Sequence, residues 1–317
     1  MRDGTASGWR GAQELAADLV NAGGGHVRCV LLYGSHLYGT SPNRYSALDF
    51  IVLVDDYRGF YTALNNSSGL GRSVGLMSAM AHILPPNVIA YSEPGEGDRL
   101  AKCNVINRGH LERALGLRPK DHYLLGRSVQ ELGLVWSASD EERRWVESLL
   151  ARAREGVLTW MSPYLTEPVN ALGLGQRMLQ VCYQGELRPE AVDRYRRTFE
   201  AQADHFAQVL GPVLSEAERS GLMIAEDGKY RLAKPPSTGV KLRWKYHFMW
   251  SKVRAAVRAL KNTLTFDEWL SYIVRKAERH SGKTIRLTWP ERRLPLIFLW
   301  PRMIMFLLSR PKRDLRQ

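Results

Sequence analysis

Residues 33–40, Tyr-Gly-Ser-His-Leu-Tyr-Gly-Thr, are followed nine residues later by Asp49 within an apolar run, Leu48-Asp-Phe-Ile-Val-Leu-Val54. A Gly-Ser turn that leaves a buried strand exposes backbone N–H groups and a hydroxyl, a donor surface that can receive the phosphates of a nucleotide. A carboxylate on the neighbouring strand can hold Mg²⁺ against the same phosphates, because this ion takes one or two carboxylates together with substrate oxygens. Gly34, Ser35 and Asp49 are therefore the first candidates for chemistry. The competing reading is a structural hairpin with a satisfied aspartate. His36, in the same stretch, reads as a solvated loop histidine.

A second metal ligand is harder to place. Side chains alternate along a strand, so Asp55 shares a side with Asp49 but lies about 20 Å away at roughly 3.3 Å per residue. The two could serve one ion only if the strand ended early. Glu93 and Asp98 are further candidates.

The elements that must position these residues follow from pattern. Gln13 to Val20 reads as a helix stopped by Gly23-Gly24-Gly25, and His26 to Tyr33 as a buried strand before an irregular stretch from Gly34 to Tyr45. Leu48–Val54, Asn87–Ser92 and Ala101–Ile106 read as strands, the last two joined by a hairpin turn at Gly95-Glu-Gly-Asp98. From His110 onward helical patterns dominate, at 110–116, 140–155, 188–210 and 214–223. Sheet first and helices after is an α+β order. The expected organisation is a sheet-bearing domain over 1–150, a helical domain over 151–232 and a basic helical tail over 233–317.

Composition narrows the setting. The chain has 317 residues, 44% of them hydrophobic, and is long enough to bury a sizeable core. Cys29, Cys103 and Cys182 are far apart with no CxxC pair, which fits a reducing compartment and excludes a disulfide framework or zinc ribbon. The start of the sequence has no signal-peptide pattern, so a cytoplasmic location is expected. The net charge of +13 is concentrated at one end: residues 229–317 hold 22 Lys/Arg against 5 Asp/Glu, leaving the first 228 residues net negative. Such a segment suits nucleic acid or an anionic membrane.

Residues 294–308 are almost unbroken apolar sequence bordered by arginines and Lys312, but they are too short to span a bilayer and contain Pro295, Pro301 and Arg302. An interfacial segment is expected, with 233–317 on the inner face of a membrane. The alternative is a C-terminal helix that closes a core or a homo-oligomer. Lys241 to Lys261 interleaves cations and aromatics at mostly helical spacing and suits either phosphodiester or lipid phosphate.

The Gly-Ser, spacer and strand-Asp arrangement resembles the nucleotidyltransferase superfamily, whose usual pattern has two acids separated by one residue. Ala47 stands where the first acid would be. Three explanations fit: a second acid recruited from elsewhere, a non-catalytic copy, or an engineered inactivating substitution. A narrower resemblance rests on Tyr33-Gly34-Ser35, Leu48-Asp49-Phe50-Ile51, Val54-Asp55, Lys102-Cys-Asn-Val-Ile106, Leu111-Glu112, Leu115, Tyr123-Leu-Leu-Gly-Arg127 and Arg177-Met178. These are similar to the mitochondrial translocator assembly and maintenance protein family, phosphatidate cytidylyltransferases that also carry a single acid on that strand. The likeness covers about residues 30–180, with departures at Gln130-Glu131-Leu132 and at Gly175.

The resemblance implies a nucleotidyltransferase-type mixed sheet with flanking helices and transfer of CMP from CTP to phosphatidate, with release of pyrophosphate. Tyr33, Gly34, Ser35, Lys102 and Arg127 would contact the nucleotide, Asp49 and Lys102 would be catalytic, and Asp49 with Asp55 would hold Mg²⁺. The structural readings are a solvated strand-edge lysine for Lys102 and an ion-paired arginine for Arg127. An anionic membrane surface would then be the partner of 233–317, with nucleic acid disfavoured. Two rivals are a nucleotidyltransferase with a soluble or RNA acceptor, and an inactive fold used for binding.

Overall fold

Two of the apolar runs become the middle strands of a sheet. The computed structural model describes residues 2–3, 9–39, 47–68, 71–92, 99–116, 119–185, 194–265, 274 and 287–289. In chain order its first elements are β1 (Arg2–Asp3), α1 (Arg10–Ala22), β2 (Val27–Tyr33), α2 (Ser35–Tyr38), β3 (Leu48–Val54), α3 (Tyr57–Ser68) and α4 (Val74–Ile83). There follow β4 (Asn87–Ser92), β5 (Leu100–Asn107), α5 (Arg108–Leu115), α6 (Leu125–Ser128), β6 (Gly133–Ser137), α7 (Asp140–Glu155) and α8 (Val157–Met161). The last described elements are α9 (Ala171–Gln184), α10 (Arg194–Glu200), α11 (Ala203–Arg219), the hairpin β7 (Met223–Glu226) and β8 (Lys229–Leu232), and α12 (Thr238–Thr265).

The sheet order is β1-β6-β2-β3-β5-β4. β2 runs antiparallel to both β3 and β6, β3 is parallel to β5, and β5 is antiparallel to β4. This is the α+β architecture expected, a mixed sheet with flanking helices. Side-chain alternation gives each face its own core. Val30, Leu32, Phe50, Val52, Cys103 and Val105 face the α1, α3 and α4 layer, whereas Leu31, Ile51 and Ile106 face α5 to α9 and α11. Fully burying a side chain such as Phe50 is worth about 1.5–3 kcal/mol. All three cysteines are buried.

Local signals explain most boundaries. α1 buries Leu15, Ala16 and Leu19 on one stripe and gives way to Gly24 and Gly25, whose φ of +61° and +82° favour glycine. The Ser139 side chain accepts from Glu142 N, and acids in the first turn with Arg152 and Arg154 in the last complement the dipole of α7. The helical patterns at 188–210 and 214–223 differ from what forms. The helix is interrupted by a turn at 201–202, where Gln202 Oε1 accepts from Glu131 N at 2.9 Å. α11 then runs without interruption through Pro212, which lies on its exposed face while Phe206, Leu210 and Leu214 are buried.

Residues 1–265 form one compact unit and 266–317 a second. Boundaries expected at 150 and 232 fall inside the first unit, because a single core joins Leu31 of the sheet to Leu149, Leu179, Leu214 and Trp244. The basic segment is also not a free tail from 233. Three cations of α12 are spent internally: Arg254 and Arg258 bond Asp121 Oδ2 at 2.8 and 2.7 Å, and Lys261 Nζ donates to Leu84 O, Pro86 O and Asn87 Oδ1. Burial alone would raise the Asp121 carboxyl, but Arg258 and Arg254 hold it below the usual carboxylate range. The apolar stretch 294–308, Glu93, Asp98 and the turn at 95–98 lie outside the described residues.

Candidate active site

The sheet register brings the main sequence candidates into one row. Tyr33 is the last residue of β2 and the ladder partner of Asp49, and Asp49 is in turn the partner of Lys102 on β5. Ladder partners share a face, so Tyr33, Asp49 and Lys102 project to the same side of the sheet. Two positions further along β5, Asn104 joins them on that side.

The bend after β2 requires glycine. Gly34 has φ +86° and ψ −162°, and a Cβ added there would lie 2.9 Å from Asp49 Oδ2 and 3.6 Å from its Cγ. The Asp49 carboxylate therefore sits directly against the Gly-Ser bend. It is half-buried, and among the described residues no hydrogen bond or ion pair closes on it. Ser35 opens the short helix α2, whose Leu37 and Tyr38 amides donate to Gly34 O, while the first amides of the turn have no intrahelical acceptor.

Below this row lies a hydrogen-bonded floor. Asn104 Nδ2 donates to Tyr33 Oη at 2.8 Å and to Phe50 O at 3.0 Å, and Asn104 Oδ1 accepts from Tyr123 Oη at 2.5 Å. The Arg127 guanidinium donates to Tyr123 O and lies 3.9 Å from the Tyr123 ring centroid and 5.5 Å from that of Tyr33. Arg258 stacks 4.4 Å from the Tyr123 ring. Burial, and next the Asp49 charge, push the Tyr33 phenol well above its ordinary value, so it stays a neutral hydroxyl. Burial followed by Asp49 also raises the Cys103 thiol, leaving it protonated.

One expected metal ligand is corrected by this geometry, and one expected nucleotide contact is buried. Asp55 is not brought to Asp49: β3 runs unbroken to Val54, and the Asp55 carboxylate is held beyond that end by His26 Nδ1 at 2.9 Å, Arg28 Nη2 at 2.5 Å and Asp56 N at 2.6 Å. Arg127 is 6% exposed and engaged with Tyr123 and Tyr33, so it supports the floor from beneath. Lys102 is half-buried and takes part in an interaction of its own, unlike the solvated strand-edge reading.

Asn104 and Tyr123 Oη were not picked out as functional from sequence. The available signal was an amide in the middle of an apolar strand at the same parity as Lys102, since a buried polar group needs partners.

The donor set bears on a metal. Among the described residues no group of three or more His, Cys, Asp or Glu side chains could form a protein-built cage. One carboxylate beside a glycine-serine bend fits Mg²⁺, which usually keeps waters and substrate oxygens. It does not suit zinc, which needs three or four protein ligands.

No family model matches the chain, and no curated protein matches it. Among solved structures it is similar to a nucleotidyltransferase-like protein from Exiguobacterium sibiricum, at 9% identity and a TM-score of 0.27, over 94% of this chain and 91% of that one. The α+β class is carried by the sheet itself.

Proposed function

We propose that the chain is a nucleotidyltransferase, and that it transfers CMP from CTP to phosphatidate to give CDP-diacylglycerol and pyrophosphate. The supporting observation is the Asp49 carboxylate set against the Gly34-Ser35 bend, with Lys102 as its ladder partner. The resemblance of Tyr33-Gly34-Ser35, the single acid of β3 and the Lys102 strand to phosphatidate cytidylyltransferases supports the choice of nucleotide and acceptor.

In this reading a phosphomonoester oxygen of phosphatidate attacks the α-phosphorus of CTP. The bond from that phosphorus to the oxygen bridging to the β-phosphate breaks, and pyrophosphate leaves. A phosphomonoester has a second pKa of about 6, so the nucleophile is already largely dianionic and no general base is required. What remains is repulsion between two anions, and the work of the site is electrostatic. Asp49 would hold Mg²⁺, which when bound supplies positive charge to the phosphates. Ser35 Oγ and the backbone at the bend donate to phosphate oxygens, and Lys102 offsets charge. Asn104 and Arg127 fix Tyr33, which flanks Asp49.

The experiment is pyrophosphate release from each of the four nucleoside triphosphates, with and without phosphatidate vesicles and Mg²⁺. It compares this chain with Asp49→Ala and Ala47→Asp variants. The expected result is turnover that needs CTP, phosphatidate and Asp49. Activity appearing only in Ala47→Asp would overturn the single-acid reading, and equal activity without phosphatidate would overturn the acceptor.

A further inference from the structure

The two faces of α12 meet opposite surroundings. Inward, Trp244, Ser251, Arg258 and Thr265 recur every seven residues and are buried. This face is tied down: Ser251 Oγ accepts from His122 N at 3.0 Å, Arg254 and Arg258 grip Asp121, and Thr265 Oγ1 donates to Val88 O at 2.8 Å.

Outward, Leu242, Tyr246, Val253, Val257, Leu260 and Leu264 recur at spacings of three, four or seven residues, so they line one side of a helix. Each is at least 47% exposed, and Met249 and Trp250 on the same side are 60% and 48% exposed. From 242 to 264 this stripe is about 33 Å long at 1.5 Å per residue. Because the opposite face is fastened, the helix cannot roll to hide it. Contiguous exposed apolar surface of this extent marks an interaction site.

Charge selects the occupant. Residues 238–265 contain seven Lys or Arg and no Asp or Glu. Three of the seven are spent inward, while Lys241, Arg243, Lys245 and Lys252 are exposed. The helical repeat puts Lys241, Lys245 and Lys252 along one flank of the stripe and Arg243 on the other. A second copy of the helix would bring like charges together. Nucleic acid would engage the cations and leave the stripe in water. An anionic bilayer satisfies both, with headgroups at the cations, acyl boundary at the aliphatic side chains, and Tyr246 and Trp250 at the depth between. Among the described residues no helix is long and apolar enough to cross a membrane, which agrees with a helix lying in the plane.

We propose that the outward face of α12 is a docking surface for an anionic lipid bilayer. It involves other residues than the 294–308 stretch that composition singles out. It also stands on binding alone, whichever nucleotide or acceptor the site uses.

The test is co-sedimentation of the full chain with vesicles of phosphatidylcholine alone or mixed with phosphatidylglycerol. Binding is expected only to the mixed vesicles and should weaken as salt rises. A Trp250→Ser/Val257→Ser variant should bind on the order of tenfold more weakly, with its circular dichroism and melting unchanged. A Lys241→Glu/Lys245→Glu/Lys252→Glu variant, altered only at exposed positions, should lose a similar factor at low salt. Wild-type binding by both variants would overturn the proposal. So would a wild-type dimer in sedimentation velocity that the Trp250→Ser/Val257→Ser change dissociates, or binding to an RNA oligonucleotide under conditions where mixed vesicles are not bound.

Discussion

The two ends of β3 carry the same side chain in opposite circumstances. Asp55, beyond Val54, is clasped by His26, Arg28 and the next backbone amide. Asp49, near the start of the strand, faces a glycine bend and has no such clasp among the described residues. A carboxylate whose lone pairs are taken by the protein contributes to local order. One left open beside a donor surface keeps its coordination capacity for something that arrives. The difference lies in the neighbours, since the parity of the two positions on the strand is the same.

The largest expected effect tests the open end. Asp49→Asn should lower pyrophosphate release by at least about 100-fold, the scale lost when one preorganised electrostatic group is removed, with little change in melting temperature. Unaltered turnover would erase the distinction between the two acids. Gly34→Ala comes next. It combines a left-handed backbone with a Cβ pushed against Asp49 Oδ2, and should cost about 1–3 kcal/mol of stability together with most of the turnover. Normal melting and normal turnover in that variant would mean that the bend does not confine the carboxylate.

The smaller effects belong to the clasped end. Asp55→Asn should leave turnover intact and lower stability by no more than about 1 kcal/mol, because the pair is surface-lying. Its pH dependence sharpens the point. Slight burial works to raise the Asp55 carboxyl, but the hydrogen bonds from His26 and Arg28 prevail and lower it. A folded pKa below the unfolded value gives stabilisation that is present above the unfolded pKa of about 3.9 and is lost as pH falls through the folded one. The difference between the parent and Asp55→Asn in thermal melts should therefore vanish in acid, and it should shrink in high salt.

His110 supplies an independent check on the same side of the chain. Burial, aided by Arg113 and His82, lowers its imidazole to about 4. Since the unfolded histidine titrates near 6.5, acidification from there to about 4 should destabilise the fold, and His110→Gln should flatten that slope in melts across the interval.

Legibility from sequence followed the physics of each signal. β3 and β4 were readable to the residue because apolar runs bounded by polar sequence have few alternative conformations. α7 was readable because a charged face and an apolar stripe recur at helical spacing from 140 to 155. The patterns at 188–210 and 214–223 misplaced α11, which runs through Pro212 because Phe206, Leu210 and Leu214 are buried along one face. The Gly-Ser bend and Asp49 could be found locally. Asn104 and Tyr123 could not, since their partnership joins positions 19 residues apart through a fold that local pattern does not encode. The basic end misled for a related reason: charge counts do not say which cations turn inward, and Arg254, Arg258 and Lys261 do.

The ladder pairing of Tyr33, Asp49 and Lys102 sets a rule for how this chain can vary. Adding or deleting one residue inside β3 would exchange the two sides of that strand, sending the acid towards the α1, α3 and α4 core and turning Phe50 to the side that Asp49 now holds. Length changes can thus be absorbed only between the strands. Related chains, however far their letters drift, should preserve the count from the acid to the end of its strand while differing freely in the segment from 40 to 46.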